Sequence, residues 1–128
     1  MTLRLTAAPV EEARKAFLAG DYNATIFHAK AATEATQWGE EARELHIRAL
    51  LTTGQYTNAL TVTTNAINKL SFSVRLLWMA HEVHKFNNQP EKSTAALTEM
   101  NRLATQMTWR YRAAPDLVAL GRMALLNG

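Results

Sequence analysis

Two histidines on one predicted helix face are the residues best placed for metal chemistry. His81 and His84 lie three residues apart in the segment His81-Glu82-Val83-His84, so their side chains share one side of a helix. The zinc-protease motif instead spaces its histidines four apart, with a general-base glutamate between them. The chain has no cysteine and offers no evident third ligand. We therefore expect hydrogen-bonded or groove-facing histidines, and we predict no metal, no cofactor and no enzymatic activity.

A second segment with chemical potential alternates aromatic and basic side chains, Trp109-Arg110-Tyr111-Arg112. This combination stacks bases and neutralises phosphates in proteins that bind single-stranded nucleic acid. Because it is one short segment, we favour the alternative in which Trp109 and Tyr111 fill a gap between helices while the arginines stay solvated. We accordingly predict no nucleic-acid partner.

The chain that must position these residues has 128 residues, of which 48% are hydrophobic and 20% charged, and a net charge of +3. This composition is typical of one soluble globular domain. A disulfide framework and a thiolate zinc site both need cysteine and are therefore excluded. No apolar run approaches the roughly 20 residues that span a bilayer, and residues 1–10 lack the apolar core of a signal peptide. We predict no membrane partner and favour a cytoplasmic location.

An internal period organises the chain. Three turn signals begin at positions 20, 54 and 88 and so recur at one fixed spacing: Gly20-Asp21-Tyr22, Gly54-Gln55-Tyr56 and Asn88-Gln89-Pro90. Downstream of each turn, a small side chain recurs in the same register, at Thr25, Ala59 and Ser93. A small residue repeated at one position indicates that two helices approach closely there. The period therefore predicts repeated pairs of helices.

This period resembles the tetratricopeptide repeat (TPR), a unit of about 34 residues made of two antiparallel helices, over almost the whole chain. The clearest match to the family pattern is at Leu117, Leu120, Gly121, Ala124 and Gly128. The resemblance implies an all-α, right-handed α-solenoid with about seven helices. Within one domain, 1–128, the repeats would span about residues 6–39, 40–73 and 74–107, with a linker at 108–114 and a terminal helix at 115–128.

The chain also departs from the family pattern. The proline that often closes a repeat is replaced by Gln37, Ser71 and Thr105. The register of the third repeat is ambiguous by one residue near Phe86 and Asn87. The terminal helix has almost no polar face, whereas a natural capping helix needs a solvated side. We therefore interpret the chain as a segment of a longer array.

Helical periodicity and helix breakers together predict seven helices. Their expected ranges are 9–19, 22–36, 40–53, 56–70, 73–86, 90–107 and 115–127. The segment Thr61-Val62-Thr63-Thr64 favours a strand by its β-branched side chains. The 34-residue register places it inside a helix, and we give the register precedence over local propensity.

The TPR resemblance also implies a binding surface, because in that family the first helix of each pair lines a concave groove for a peptide. The groove residues expected from the register are Arg14, Phe17, Arg48, Leu51, Trp78, Lys85 and Arg122. Arg14, Arg48 and Arg122 occupy equivalent positions in this register. The third repeat has Glu82 or His81 at that position, and His84 is an alternative to Lys85. Arginine suits carboxylates, so an acidic peptide fits. Alternatively, the arginines pair with nearby glutamates, namely Glu11, Glu12, Glu44 and Glu82.

We weigh two functions of different kinds. The leading hypothesis is a protein–protein interaction module that binds another protein or peptide in the groove. The alternative is self-association through residues 116–128, or a scaffold segment of a longer repeat array, because the terminal helix is apolar and lacks a partner helix.

Overall fold

The computed structural model describes residues 8–36 and 38–126, and the structured elements in this part of the chain are all helical. The seven α-helices are α1 (Pro9–Leu18), α2 (Tyr22–Ala35), α3 (Glu40–Thr52), α4 (Tyr56–Lys69), α5 (Val74–Phe86), α6 (Pro90–Gln106) and α7 (Ala114–Leu126). A single 3-10 turn, Thr108–Arg110, lies between α6 and α7. The predicted all-α class and the seven predicted helices are confirmed. Residue 6, where the first repeat was expected to begin, and Gln37 and Gly128 lie outside the described residues.

Three turns of the same geometry connect α1 to α2, α3 to α4 and α5 to α6. Gly20, Gly54 and Asn88 all have a positive φ, of 78°, 76° and 57°. Glycine adopts this left-handed conformation freely, and asparagine tolerates it better than most residues. In each turn the next residue donates its backbone N–H to a carbonyl five positions back, over 2.8 to 2.9 Å. The third turn therefore lies 34 residues after the second, as the second does after the first. This resolves the one-residue ambiguity in the register near Phe86 and Asn87.

Local sequence sets where the helices begin. The Asp21 carboxylate accepts the Ala24 N–H at 3.1 Å, and the Ser73 hydroxyl accepts the Leu76 N–H at 3.1 Å. Both bonds satisfy backbone donors that the first turn of a helix leaves unpaired. The β-branched segment from residue 61 to 64 lies inside α4, as the register predicts. The hydroxyl of Thr64 donates to the Leu60 carbonyl at 3.0 Å, so its polar group is satisfied within the helix.

The odd-numbered helices form a row. Among the described residues, α1 contacts α3, α3 contacts α5 and α5 contacts α7, whereas α2, α4 and α6 contact no other even-numbered helix. Each helix also packs against the next one in the chain. A surface that runs along α1, α3, α5 and α7 is therefore assembled from segments spread over the whole sequence.

Among the described residues, three clusters of buried apolar side chains follow chain order. The first joins α1, α2 and α3 and comprises Ala13, Ala29 and Leu45. The second joins α3, α4 and α5, and the third joins α5, α6 and α7 with Tyr111. The small residues that recur in the register, Thr25, Ala59 and Ser93, are buried. Their burial supports the expectation that neighbouring helices approach closely at these positions.

Candidate functional site

Two adjoining cavities lie on the row of odd-numbered helices. The α1–α3–α5 cavity has a volume of about 210 Å³, and its walls are Phe17, Arg48, Leu51, Thr52, Met79, Glu82 and Phe86. The α3–α5–α7 cavity has a volume of about 280 Å³, and its walls are Glu44, Arg48, Arg75, Trp78, Ala114, Pro115, Val118, Ala119 and Arg122. Arg48 belongs to both walls, so the two cavities adjoin. We call them together the paired cavities.

The structure brings most of the predicted groove residues to this surface. The residues that line one or both cavities are Phe17, Arg48, Leu51, Trp78 and Arg122. Arg14 and Lys85 belong to the wall of neither cavity. The site is therefore built from α3, α5 and α7, with α1 contributing one aromatic side chain.

Three large wall residues on α5 were not singled out from the sequence as binding residues: Arg75, Met79 and Phe86. A signal for Arg75 exists, since it follows Glu41 by the same 34-residue interval that separates Glu44 from Trp78. Extending the register by one turn toward the start of α5 would have placed Arg75 beside Trp78. Phe86 follows Thr52 by the same interval, and both line the α1–α3–α5 cavity, so the register also indicates Phe86. Met79 carries no comparable signal, because its equivalent one period earlier, Leu45, lines neither cavity.

Arg14 is held in an ion pair away from the paired cavities. Its Nε donates to Glu41 Oε2 at 2.8 Å and its Nη2 donates to Oε1 at 2.6 Å, so the guanidinium binds the carboxylate with two hydrogen bonds. This contact raises the pKa of Arg14 and lowers the pKa of Glu41. The pair joins α1 to α3. The sequence raised glutamate pairing as an alternative, with Glu11 or Glu12 as the expected partner on the same helix, whereas the partner is Glu41 on α3.

Glu44 organises the arginines of the α3–α5–α7 cavity. One of its oxygens accepts from Arg48 Nε at 3.1 Å, and the other accepts from Arg75 Nε at 2.8 Å. Arg122 makes no hydrogen bond or ion pair with any described residue. The cavity thus contains two guanidiniums that bind the Glu44 carboxylate and a third, that of Arg122, that binds no described carboxylate.

The two histidines of the segment at 81–84 are engaged in hydrogen bonds. The Ser93 hydroxyl lies 2.7 Å from His81 Nδ1, and Gln89 Oε1 lies 2.8 Å from His84 Nδ1. Among the described residues, no cluster of three or more His, Cys, Asp or Glu side chains is arranged to hold a metal ion. The hydrogen bonds between α5 and the residues at 89 and 93 tie that helix to α6 and its preceding turn.

The aromatic and basic segment at 109–112 divides between core and surface. Tyr111 is buried and donates its hydroxyl to the Phe72 carbonyl at 2.9 Å, as the gap-filling interpretation predicts, and this burial raises the pKa of Tyr111. Trp109 is 65% exposed, so the expectation that it also fills the gap is wrong. Arg110 lies over the Phe72 ring, 5.1 Å from its centroid. Because Tyr111 is buried, the two aromatic rings do not form one stacking surface.

Cavities of comparable or larger volume lie elsewhere in the described residues. One, of about 410 Å³, lies where the start of α1 meets the connection between α2 and α3. Another, of about 320 Å³, lies between α4 and α6. Neither is lined by any of the seven groove residues expected from the register, although His84, the alternative to Lys85, lines the cavity between α4 and α6. Volume alone therefore does not mark the site; the convergence of charged and aromatic side chains on four helices does.

Two further findings concern membrane-crossing helices and similarity to known proteins. No helix in the described part is both long enough and apolar enough to cross a membrane. Comparison with protein-family models, with curated proteins and with solved structures finds no significant match to the chain.

Proposed function

We propose that the chain is a protein–protein interaction module of the TPR type that binds a segment of a partner protein along α1, α3, α5 and α7. In this proposal α1 to α6 form three helix pairs of a right-handed solenoid, and α7 begins a fourth. The 34-residue interval, repeated in sequence and in turn geometry, supports the pairing. The proposal includes no catalysis and no cofactor.

The observation that carries the proposal is the pair of adjoining cavities on the odd-numbered helices. Their walls combine apolar side chains, such as Leu51 and Met79, with arginines. Sites of this composition use apolar contacts for affinity and a few polar groups for orientation. An extended peptide could therefore place side chains in both cavities at once, since Arg48 lies between them.

Selection from a peptide library followed by NMR would test this function. The immobilised protein is used to enrich binders from a random displayed-peptide library, and the best peptide is titrated into ¹⁵N-labelled protein. We expect shift changes concentrated on α1, α3, α5 and α7. Arg48→Glu should weaken binding about tenfold, whereas Lys69→Glu, an equal charge change on exposed α4, should not. Shifts confined to α2, α4 and α6 would contradict the proposal.

Self-association through α7 is a second candidate, favoured by an exposed apolar surface. Leu125 is 84% exposed, and Leu117, Val118 and Leu126 are each more than half exposed. A Cβ added at Gly121 would meet no atom within 4 Å, so another helix could approach there. Light scattering tests this candidate: a concentration-dependent dimer that Leu125→Glu dissociates would support it, and the mass of one chain at every concentration would exclude it.

A further inference from the structure

The two cavities carry different charges. In the α1–α3–α5 cavity the charged wall residues are Arg48 and Glu82, and Glu82 makes no hydrogen bond or ion pair with any described residue. In the α3–α5–α7 cavity the charged wall residues are three arginines and one glutamate. A ligand that spans both cavities therefore meets an unpaired carboxylate at one end and an excess of positive charge at the other.

The size of this positive excess follows from the ion pairs. Arg75 binds Glu44, and a second carboxyl near it is that of Asp116, whose pKa is raised by burial and is lowered in part by the charge of Arg75. Its charge is therefore compensated by neighbouring carboxylates. Arg48 shares Glu44, so it is compensated in part. Arg122 has no carboxylate partner among the described residues. Three guanidiniums set against the carboxylates of Glu44 and Asp116 leave an uncompensated charge of about one unit, which we place on Arg122 because the other two arginines bind Glu44.

A charge of one unit distinguishes between possible anionic ligands. A carboxylate carries one negative charge, whereas a phosphate monoester carries about −1.5 to −2 at neutral pH. A phosphate would need a second uncompensated guanidinium, whereas Arg48 and Arg75 both bind Glu44 and Asp116 adds a second carboxyl near Arg75. The charge balance of the cavity therefore matches one carboxylate better than one phosphate.

We propose that the paired cavities select a polarised segment of a partner protein: an apolar residue seated in the α1–α3–α5 cavity, with a single acidic side chain on its α7 side that binds Arg122 beside Trp78. Glu82 repels an acidic residue at the opposite end and so fixes the direction in which the segment lies. This inference rests on the proposed function. In this arrangement the groove is not lined by a uniform row of arginines, because Arg14 is bound to Glu41 and the residue at the third register position is Glu82. Its two ends therefore differ in charge.

Peptide selection with charge variants tests the direction. The same displayed library is selected on the wild-type protein, on Arg122→Glu, on Glu82→Lys and on Arg112→Glu. Arg112 is exposed and lines neither cavity, so it controls for net charge. We expect wild type and Arg112→Glu to enrich an acidic residue on one side of an apolar residue. Arg122→Glu should replace that acidic preference by a basic one, and Glu82→Lys should add an acidic preference on the other side of the apolar residue.

The single carboxylate is tested with synthetic versions of the enriched peptide. Fluorescence anisotropy compares Glu, Gln and phosphoserine at the acidic position. On the wild-type protein, Glu→Gln should weaken binding about fivefold or more, as expected for a charged hydrogen bond. On Arg122→Ala the same peptide change should have less than about twofold effect. Tighter binding of phosphoserine than of Glu would overturn the single-carboxylate assignment.

The outcomes separate this inference from the proposed function. If the wild-type protein enriches peptides whose acidic preference is unchanged in Arg122→Glu, the polarised groove is wrong while the binding function stands. If the wild-type protein enriches no peptide, the proposed function fails and the inference fails with it. Circular dichroism of each variant confirms that the helices are intact before either conclusion is drawn.

Discussion

Ala59 is the residue at which the repeat register can be tested most directly. It is fully buried in the cluster that joins α3, α4 and α5. Ala59→Leu adds three carbons where the helices leave no room, so we expect a loss of about 1 to 3 kcal/mol in the free energy of unfolding. Thr61→Leu, on the exposed side of the same helix, should change it by less than about 0.5 kcal/mol. Equal urea midpoints for the two variants would show that the packing at Ala59 is not tight.

His46 gives a prediction for pH. Its burial, and then the positive charge of Lys30, lower its pKa below the ordinary value of 6.5. Between that lowered pKa and 6.5 the unfolded chain binds more protons than the folded chain, so stability falls as the pH drops through this window. Above pH 6.5 the histidine is neutral in both states and no stability is lost.

The variant His46→Gln isolates this effect, because glutamine is similar in size and does not titrate. Urea unfolding at pH 7.5 and pH 5.5 should show a larger loss of stability on acidification in the wild-type protein than in the variant. The rest of the chain is identical in the two proteins, so its contribution to the pH dependence cancels in the comparison. If both proteins lost the same stability on acidification, the lowered pKa of His46 would make no contribution to the pH dependence of folding.

Side-chain partners mark the limit of what the sequence predicts at the residue scale. The period places Phe17, Arg48 and Leu51 on one surface, because residues one period apart occupy equivalent positions. It does not indicate that Arg14 binds Glu41, since that contact depends on how far apart α1 and α3 lie. Glutamates on α1 itself are equally available by spacing alone. Ion-pair partners between helices therefore need the packed structure.

At the scale of the elements, two glycines should respond to the same substitution with opposite signs. Gly54 has a φ of 76°, and a Cβ there would meet no atom within 4 Å. Gly54→Ala should therefore cost about 1 to 2 kcal/mol from backbone strain alone. Gly121 lies inside α7, and a Cβ there also meets no atom within 4 Å. Gly121→Ala should therefore stabilise the protein by about 0.5 to 1 kcal/mol.

Thermal unfolding monitored by circular dichroism measures both glycine variants. A destabilised Gly121→Ala would mean that α7 meets another helix at this position in solution, as self-association would require. A neutral Gly54→Ala would mean that the turn between α3 and α4 relaxes out of its left-handed conformation without cost.

The helices themselves were predictable because their signals agree at several levels. Turn residues, prolines and the 34-residue register all mark the same boundaries, and in α4 the register correctly overrides the β propensity of the segment at 61–64. The connection from α6 to α7 was less predictable. It departs from the period, so no equivalent residue indicates that Tyr111 is buried while Trp109 is 65% exposed. Which of two neighbouring aromatic rings enters the core depends on the backbone path through the 3-10 turn.

At the scale of the whole molecule, the order of the buried clusters indicates uneven stability along the chain. Within residues 8–36 and 38–126, the cluster of α1, α2 and α3 has three buried members, two of them alanines. The central cluster includes Ile47, Leu76 and Met79, which bury far more apolar surface. Because hydrophobic stabilisation scales with buried apolar area, α1 and α2 should open at a lower free energy than α4 and α5.

Hydrogen exchange measured by mass spectrometry tests this gradient with a pair of matched variants. Met79 lies in the central cluster and Met123 in the cluster of α5, α6 and α7, and each Met→Ala change should cost about 2 to 5 kcal/mol. If helices depend mainly on their neighbours, as in a repeat array, Met79→Ala should speed exchange in α3, α4 and α5. Met123→Ala should instead speed it chiefly in α6 and α7. Identical exchange patterns in the two variants, with α1 as protected as α5 in the wild-type protein, would show one cooperative unit and contradict a modular array.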